Sequence, residues 1–249
     1  MSVIAIPASE KPHAWPSRAP TARHFITATM RRHWGLILGF TVLFPVAFYL
    51  VLMGFLMLRF GELPNYVTPY NWFGNIARIV AGTDSLSDIV RISMDEWLLE
   101  IGFMNYGYGR GVSEWSLLII PHKVAIVAAI GALIGFNFAL LADQPATGTL
   151  VQQQARSVRC GMMTAVGALL ASLTCITLYW IICHSGPTWV VSLAILGLDL
   201  STTWALEPLG ATLSLTGGGL LLLSAALSIY ENRGHAIDKT LASAGATSC

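Results

Sequence analysis

The first apolar segment covers residues 34–58 and reads WGLILGFTVLFPVAFYLVLMGFLML, without a single charged side chain. A helix rises about 1.5 Å per residue, so about 20 apolar residues cross the roughly 30 Å hydrocarbon core of a bilayer. The segment therefore predicts a first transmembrane helix within residues 34–60. Pro45 lies inside it and is a site for a kink, because proline cannot donate the backbone hydrogen bond of a helix interior.

Four more apolar segments follow, over residues 117–142, 161–183, 188–206 and 209–230. Between the last two, the sequence Glu207-Pro208-Leu209-Gly210 is typical of a tight turn, which predicts a helical hairpin. We expect an all-α polytopic membrane protein: a bundle of about five transmembrane helices, four of them within residues 117–230. A partly helical extramembrane loop over residues 61–116 would connect the first two.

The composition supports the same class. The chain has 249 residues, of which 55% are hydrophobic and only 11% charged, and its mean hydropathy is +0.64. A soluble fold could not bury that much apolar surface. The fourteen Lys and Arg residues are scattered and the net charge is only +1, so nothing indicates the basic face that nucleic-acid binding needs.

Basic residues at the ends of the segments predict the orientation. Residues 1–33 form a basic tail that contains Lys11, Arg18, Arg23, Arg31 and Arg32 and has no apolar run of a signal peptide. Basic residues are retained in the cytoplasm, so we expect a cytoplasmic N-terminus, in a bacterial inner membrane.

The C-terminal tail is harder to place by the same rule. Five spans would put residues 231–249 outside, although Arg233 and Lys239 favour the cytoplasm. A sixth pass in the long loop, or a re-entrant final hairpin, would move this tail inside. Both stay open as alternatives to five spans.

The loop over residues 61–116 is longer than a connection requires and is expected to fold. From Ser85 to Phe103, apolar residues recur at helical spacing beside several carboxylates, and Asp84 or Ser85 would be the N-cap. This pattern predicts an amphipathic helix that lies in the headgroup plane or binds a soluble partner protein. The acidic excess disfavours anionic lipid. Aromatic residues around the helix are typical of an interfacial belt.

Two histidines are candidate ligands. His122, near the start of the second segment, and His184, after the third, would lie at the same depth, where two imidazoles could bind haem or copper. Cys183 would add a soft ligand for copper. The alternative is that both histidines form hydrogen bonds with water or headgroups at the interface.

Asp199 is the most unusual residue of the predicted spans. It lies near the middle of the fourth segment, where a carboxylate must be protonated, paired or exposed to a cavity. It predicts either a structural hydrogen bond to a neighbouring helix or a step in a proton or ion path.

Small residues recur at four-residue spacing in the apolar segments. Gly131 and Gly135, Gly167 and Ala171, and residues 217–219 predict helix faces at which backbones approach closely. Such faces leave room for a neighbouring helix, a pigment or a lipid tail.

These observations favour an accessory or structural subunit of a larger membrane complex, energy-transducing or redox, in contact with lipids and other subunits. We find no motif of a catalytic site. One alternative is a redox subunit that binds haem or copper through His122 and His184. The other is a small transporter that uses Asp199.

Overall fold

The computed structural model describes residues 22–107, 109–143, 150–180 and 189–246. The helices and strands, in chain order, are α1 (Ala22–Arg32), α2 (Trp34–Phe60), β1 (Tyr66–Pro69), α3 (Trp72–Gly82), α4 (Leu86–Met94), β2 (Leu99–Asn105), β3 (Val112–Ile119), α5 (Pro121–Ala142), α6 (Leu150–Leu173), β4 (Leu178–Trp180), α7 (Trp189–Ile195), α8 (Leu200–Leu206) and α9 (Gly210–Ala246). A single 3-10 turn, Glu207–Leu209, joins α8 to α9.

Among the described residues, three helical stretches are long and apolar enough to cross a membrane: Trp34–Phe60, Pro121–Ala142 and Ser201–Glu231. They support the class of integral membrane protein expected from composition. The first lies at its predicted position, and the second, predicted over 117–142, begins four residues later because residues 117–119 end β3. In α6 only Val158–Leu173 is apolar, which is shorter than a full span.

The predicted span over residues 188–206 is wrong. This segment contains two short helices, α7 and α8, separated by Gly197 with a φ of 106°. Glycine adopts this left-handed backbone without the steric cost of a Cβ, and it ends α7. The predicted third span, 161–183, is also too long, because α6 ends at Leu173 and residues 178–180 form a strand.

The chain is mostly helical, as expected, but it is not all-α. Four antiparallel strands form one sheet in the order β1-β2-β3-β4. The helix predicted from Ser85 to Phe103 ends at Met94, and its last five residues belong to β2. The pairing of β2 with β3, from Leu99↔Ile119 to Asn105↔Val112, outweighs the helical periodicity of the isolated segment.

The connections to the sheet set the directions of the four long helices, α2, α5, α6 and α9. Strand β3 leads into α5, and its partner β4 follows α6, so α5 leaves the sheet and α6 returns to it. In the same way α2 leads into β1, and α9 begins after α7 and α8. The four helices therefore alternate in direction, and one end of each lies beside the sheet.

An apolar core joins the sheet to the end of α2. Leu52 and Leu56 of α2 pack with Trp115 and Leu117 of β3 and with buried residues of α7, including Val191. The ring of Trp115 stacks on Phe60 and Phe103, with centroid distances of 6.2 and 6.5 Å. This cluster couples the sheet to the helix bundle.

Glycines allow two close helix crossings, as the small-residue pattern predicted. A Cβ on Gly131 of α5 would lie 2.5 Å from the carbonyl oxygen of Phe40 in α2, and one on Gly217 of α9 would lie 2.5 Å from the backbone nitrogen of Ala171 in α6. Backbones this close make many van der Waals contacts, and these contacts drive the association of helices in lipid. Gly218 and Gly219, in contrast, have no neighbour within 4 Å.

Buried polar side chains add hydrogen bonds between the same helices. The Asn137 amide of α5 donates to the carbonyl of Leu221 in α9 at 3.3 Å. The Thr164 hydroxyl of α6 lies 3.1 Å from that of Ser224. Such contacts contribute roughly 1 kcal/mol each in a membrane interior.

Both predicted tails contain helix. Residues 22–32 of the basic tail form α1, and α9 continues to Ala246, beyond the predicted boundary at residue 230. The rest of the N-terminal tail, residues 1–21, lies outside the described residues.

Candidate functional site

Two short helices between β1 and β2, α3 and α4, contain no buried residue. Phe73 and Leu86 are each 79% exposed although both are large and apolar. One side of each helix is apolar and exposed, and we call this the α3–α4 surface: Phe73, Ala77, Val80, Leu86, Val90 and Met94. Exposed apolar residues at helical spacing are typical of a surface that binds another molecule.

Both helices begin with a side-chain cap. The Asn71 side chain accepts a hydrogen bond from the backbone nitrogen of Gly74 at 3.1 Å, and Ser85 accepts one from Asp88. Such caps satisfy amide groups that lack a partner in the first turn. The prediction that α4 begins after Asp84 or Ser85 is thus confirmed, with Ser85 as the cap.

A carboxylate holds the start of this region on the sheet. Glu100 of β2 accepts hydrogen bonds from the hydroxyls of Tyr66 at 2.6 Å and Tyr70 at 2.5 Å. The pKa of Tyr66 is raised to about 12. Burial is the largest cause, and the hydrogen bond to Glu100 is the second. The same two causes raise the pKa of Tyr70. Both phenols therefore remain protonated donors at physiological pH, which fixes the segment that leads into α3.

Two further contacts hold the first turn of α3 and the last turn of α4 in place. The Asn75 amide of α3 donates to the Glu96 carboxylate just beyond α4. Nδ1 of His122, in the first turn of α5, donates to the carbonyl of Met94, the last residue of α4. Because α5 is a candidate span, this bond places the end of α4 beside the end of a membrane helix.

The metal site predicted at His122 and His184 stays a prediction. His184 and Cys183 lie outside the described residues, so their distance to His122 is not defined. The bond from Nδ1 to Met94 leaves Nε2 of His122 as the acceptor nitrogen, the arrangement that metal-ligating histidines adopt. Among the residues that the structure describes, no group of three or more His, Cys, Asp or Glu side chains is placed to hold a metal ion.

The structure corrects the position of Asp199. It is the N-cap of α8 and is exposed, and its carboxylate accepts a hydrogen bond from the backbone nitrogen of Ser201 at 3.2 Å. Asp199 is therefore not a carboxylate in the middle of a span. The predicted transport role remains untested, but it loses the physical argument on which it depended.

The opposite end of the bundle holds a polar cluster that the sequence analysis missed. Asp143, at the end of α5, accepts hydrogen bonds from Thr29 at 2.9 Å and from His33 Nε2 at 3.0 Å, and Arg32 lies 3.3 Å away. Burial acts to raise the pKa of Asp143. The hydrogen bonds from His33 and Thr29 and the nearby positive charges outweigh it and hold this pKa below its ordinary value of 3.8.

This shift predicts a pH dependence. Because the pKa of Asp143 is lower in the folded than in the unfolded chain, the cluster contributes its full stability above pH 3.8 and loses it as the pH falls through the folded value. Asp143→Asn should lower the free energy of unfolding by about 1 kcal/mol at pH 7, and by progressively less as the pH falls below 3.8. Thermal unfolding of the wild-type chain and the variant in detergent, at neutral and at acidic pH, measures these effects.

A double-mutant cycle provides the control. If His33 acts through Asp143, the effects of Asp143→Asn and His33→Gln should be less than additive. Additive effects would mean that the two side chains do not interact in the folded protein.

No family model, curated protein or solved structure matches this chain. The functional interpretation therefore depends on the geometry described above.

Proposed function

We propose that this chain is a non-catalytic subunit of a larger membrane assembly and binds another protein of that assembly through the α3–α4 surface. The exposure of this surface is the observation that carries the proposal. Phe73 and Leu86 would each gain roughly 1.5 to 3 kcal/mol on full burial, and the chain itself leaves them uncovered. Rigid attachment through Glu100, Asn75 and His122 presents the surface in one orientation.

Charge favours a protein partner over lipid. Residues 61–116 contain seven carboxylates and three arginines. An acidic region is repelled by anionic headgroups but attracts a protein surface with basic residues around an apolar patch. We therefore assign to the partner an apolar contact surface with a basic rim.

In the proposed orientation, the protein lies in a bacterial inner membrane with its N-terminus in the cytoplasm and the sheet on the outer side. The basic residues Arg31 and Arg32 support it through the bias of cytoplasmic loops toward positive charge. We count α6 as a fourth crossing beside the three candidate spans, because it returns the chain to the sheet end of the bundle. Four alternating helices then bring Arg233 and Lys239 to the same side as Arg31 and Arg32. The conflict that five spans created for the C-terminal tail therefore disappears.

Native separation after mild solubilisation tests the proposal. We expect the wild-type chain to migrate in an assembly larger than a monomer. The double variant Leu86→Lys/Val90→Lys, which puts charge on the α3–α4 surface, should migrate as a monomer. Leu63→Lys is the matched control, since Leu63 is also 69% exposed but lies outside this surface. A wild-type chain that migrates alone, or equal assembly of all three proteins, would contradict the proposal.

A further inference from the structure

A groove of about 490 Å³ lies between α2, α5 and α6. Both α2 and α6 pack on α5 but diverge from each other, and the space between them stays open. Its walls are almost entirely hydrocarbon, with three phenylalanine rings, at Phe44, Phe48 and Phe138, opposite the small residues Gly161, Ala165 and Ala168.

The groove lies at membrane depth. Its α2 residues, 44–52, are central in a 27-residue candidate span, and its α6 residues, 161–172, belong to the apolar part of that helix. Its rim is open to the surroundings, because Val51 is 56% exposed, Phe138 45% and Leu169 61%. Whatever fills the groove therefore enters from the bilayer.

The lining offers no polar group to an occupant. The two hydroxyls in the wall both have partners inside the chain: Thr164 donates to the carbonyl of Cys160 at 2.9 Å, and Ser172 donates to that of Leu169 at 3.1 Å. A ligand that needs hydrogen bonds, such as a transported solute or a quinone head, would lose its hydration without compensation here. The groove therefore fits an occupant made of hydrocarbon.

Size separates a lipid chain from a partner helix. The groove extends over α6 residues 161–172, a rise of about 18 Å. A partner helix that crosses the bilayer would run along about 30 Å of hydrocarbon, so most of its length would lie outside the groove. A single extended hydrocarbon chain has no such mismatch.

We propose that the groove between α2, α5 and α6 binds one acyl chain of a bilayer phospholipid as a lasting part of the folded protein. The chain covers the apolar walls that α2 and α6 leave open and provides the dispersion contacts that an unfilled groove would lack. The head of this lipid would stay at the membrane surface. This inference concerns the purified chain and is independent of the proposed partner at the α3–α4 surface.

Glycine positions allow a sharp test. A Cβ on Gly161 meets nothing within 4 Å, so Gly161→Leu projects into the groove without disturbing helix packing. Gly219→Leu is the matched control, since Gly219 of α9 also has no neighbour within 4 Å but lies outside the groove. Both substitutions raise helix propensity to a similar extent.

The probe is phosphatidylcholine with a photoreactive diazirine in its acyl chain, used in nanodiscs that contain the purified protein. We expect labelling concentrated on residues 44–52 and 161–172, and one phospholipid retained per chain in native mass spectrometry. Gly161→Leu should reduce both signals by roughly tenfold, and Gly219→Leu should leave them unchanged.

Ala165→Phe, with Val166→Phe as its control, repeats the test if Gly161→Leu fails to fold, which thermal unfolding would show. Equal labelling of groove and control variants would overturn the proposal. Labelling spread evenly over the lipid-exposed helices, or a chain that retains no phospholipid, would overturn it as well.

Discussion

Replacing Gly217 with leucine is expected to separate α6 from α9 and to destabilise the fold by about 3 kcal/mol or more. A Cβ at this position would lie 2.5 Å from the backbone nitrogen of Ala171 and 2.7 Å from the carbonyl oxygen of Gly167. Backbone atoms cannot move aside as a flexible side chain can, so the helices themselves must separate. The hydrogen bond between Thr164 and Ser224 would be lost with the crossing.

Thermal unfolding in detergent measures this effect, and Gly219→Leu provides its control two residues along the same helix. Gly219 has no neighbour within 4 Å, so its substitution should change the melting temperature by little. Equal melting temperatures for Gly217→Leu and Gly219→Leu would contradict the close crossing of α6 and α9.

The second large effect is expected at Trp115→Ala, which should cost about 3 to 5 kcal/mol. The Trp115 side chain is fully buried between the end of α2 and the sheet, and it stacks on Phe60 and Phe103. Its removal leaves a cavity in the apolar core that joins the bundle to the sheet. We expect the sheet to loosen first, so proteolysis between β2 and β3 should accelerate before the helices unfold.

Trp115→Phe separates the loss of volume from the loss of the indole. Among the described residues, Nε1 of Trp115 has no hydrogen-bond partner although it is buried. A phenylalanine keeps the stacking and removes an unsatisfied donor, which offsets part of the lost contact area. Trp115→Phe should therefore lower the free energy of unfolding by less than half as much as Trp115→Ala. Equal costs for the two variants would mean that stacking by the ring does not stabilise this core.

The small-residue pattern was the most informative detail of the sequence beyond the spans. Buried residues of α6 recur as Cys160, Thr164, Gly167 and Ala171, and those of α9 as Gly217, Leu221, Ser224 and Ser228. Each set follows the spacing of one helix face, which the periodicity alone reveals. Neither set of residues predicts that these two faces pack on each other, because several helices of the chain carry similar faces of small residues.

The candidate site shows the same division. The cap at Ser85 and the amphipathic character of α4 depend on neighbours within one or two turns, so they were predictable. The bonds from Tyr66 and Tyr70 to Glu100 join residues 34 and 30 positions apart, and Asp143 lies 110 residues from His33. Such contacts depend on how the strands and helices return to one another.

The amino-acid sequence by itself indicated an integral membrane protein and the positions of the candidate spans α2 and α5, because the cost of placing charge in hydrocarbon is set residue by residue. The tertiary structure decided the conformation of residues 99–105, 112–119 and 178–180. Their apolar runs are compatible with helices, yet the pairing of β2 with β3 and of β3 with β4 makes them strands of one sheet. A strand is stabilised by its partner across the sheet, and a single segment carries no record of that partner.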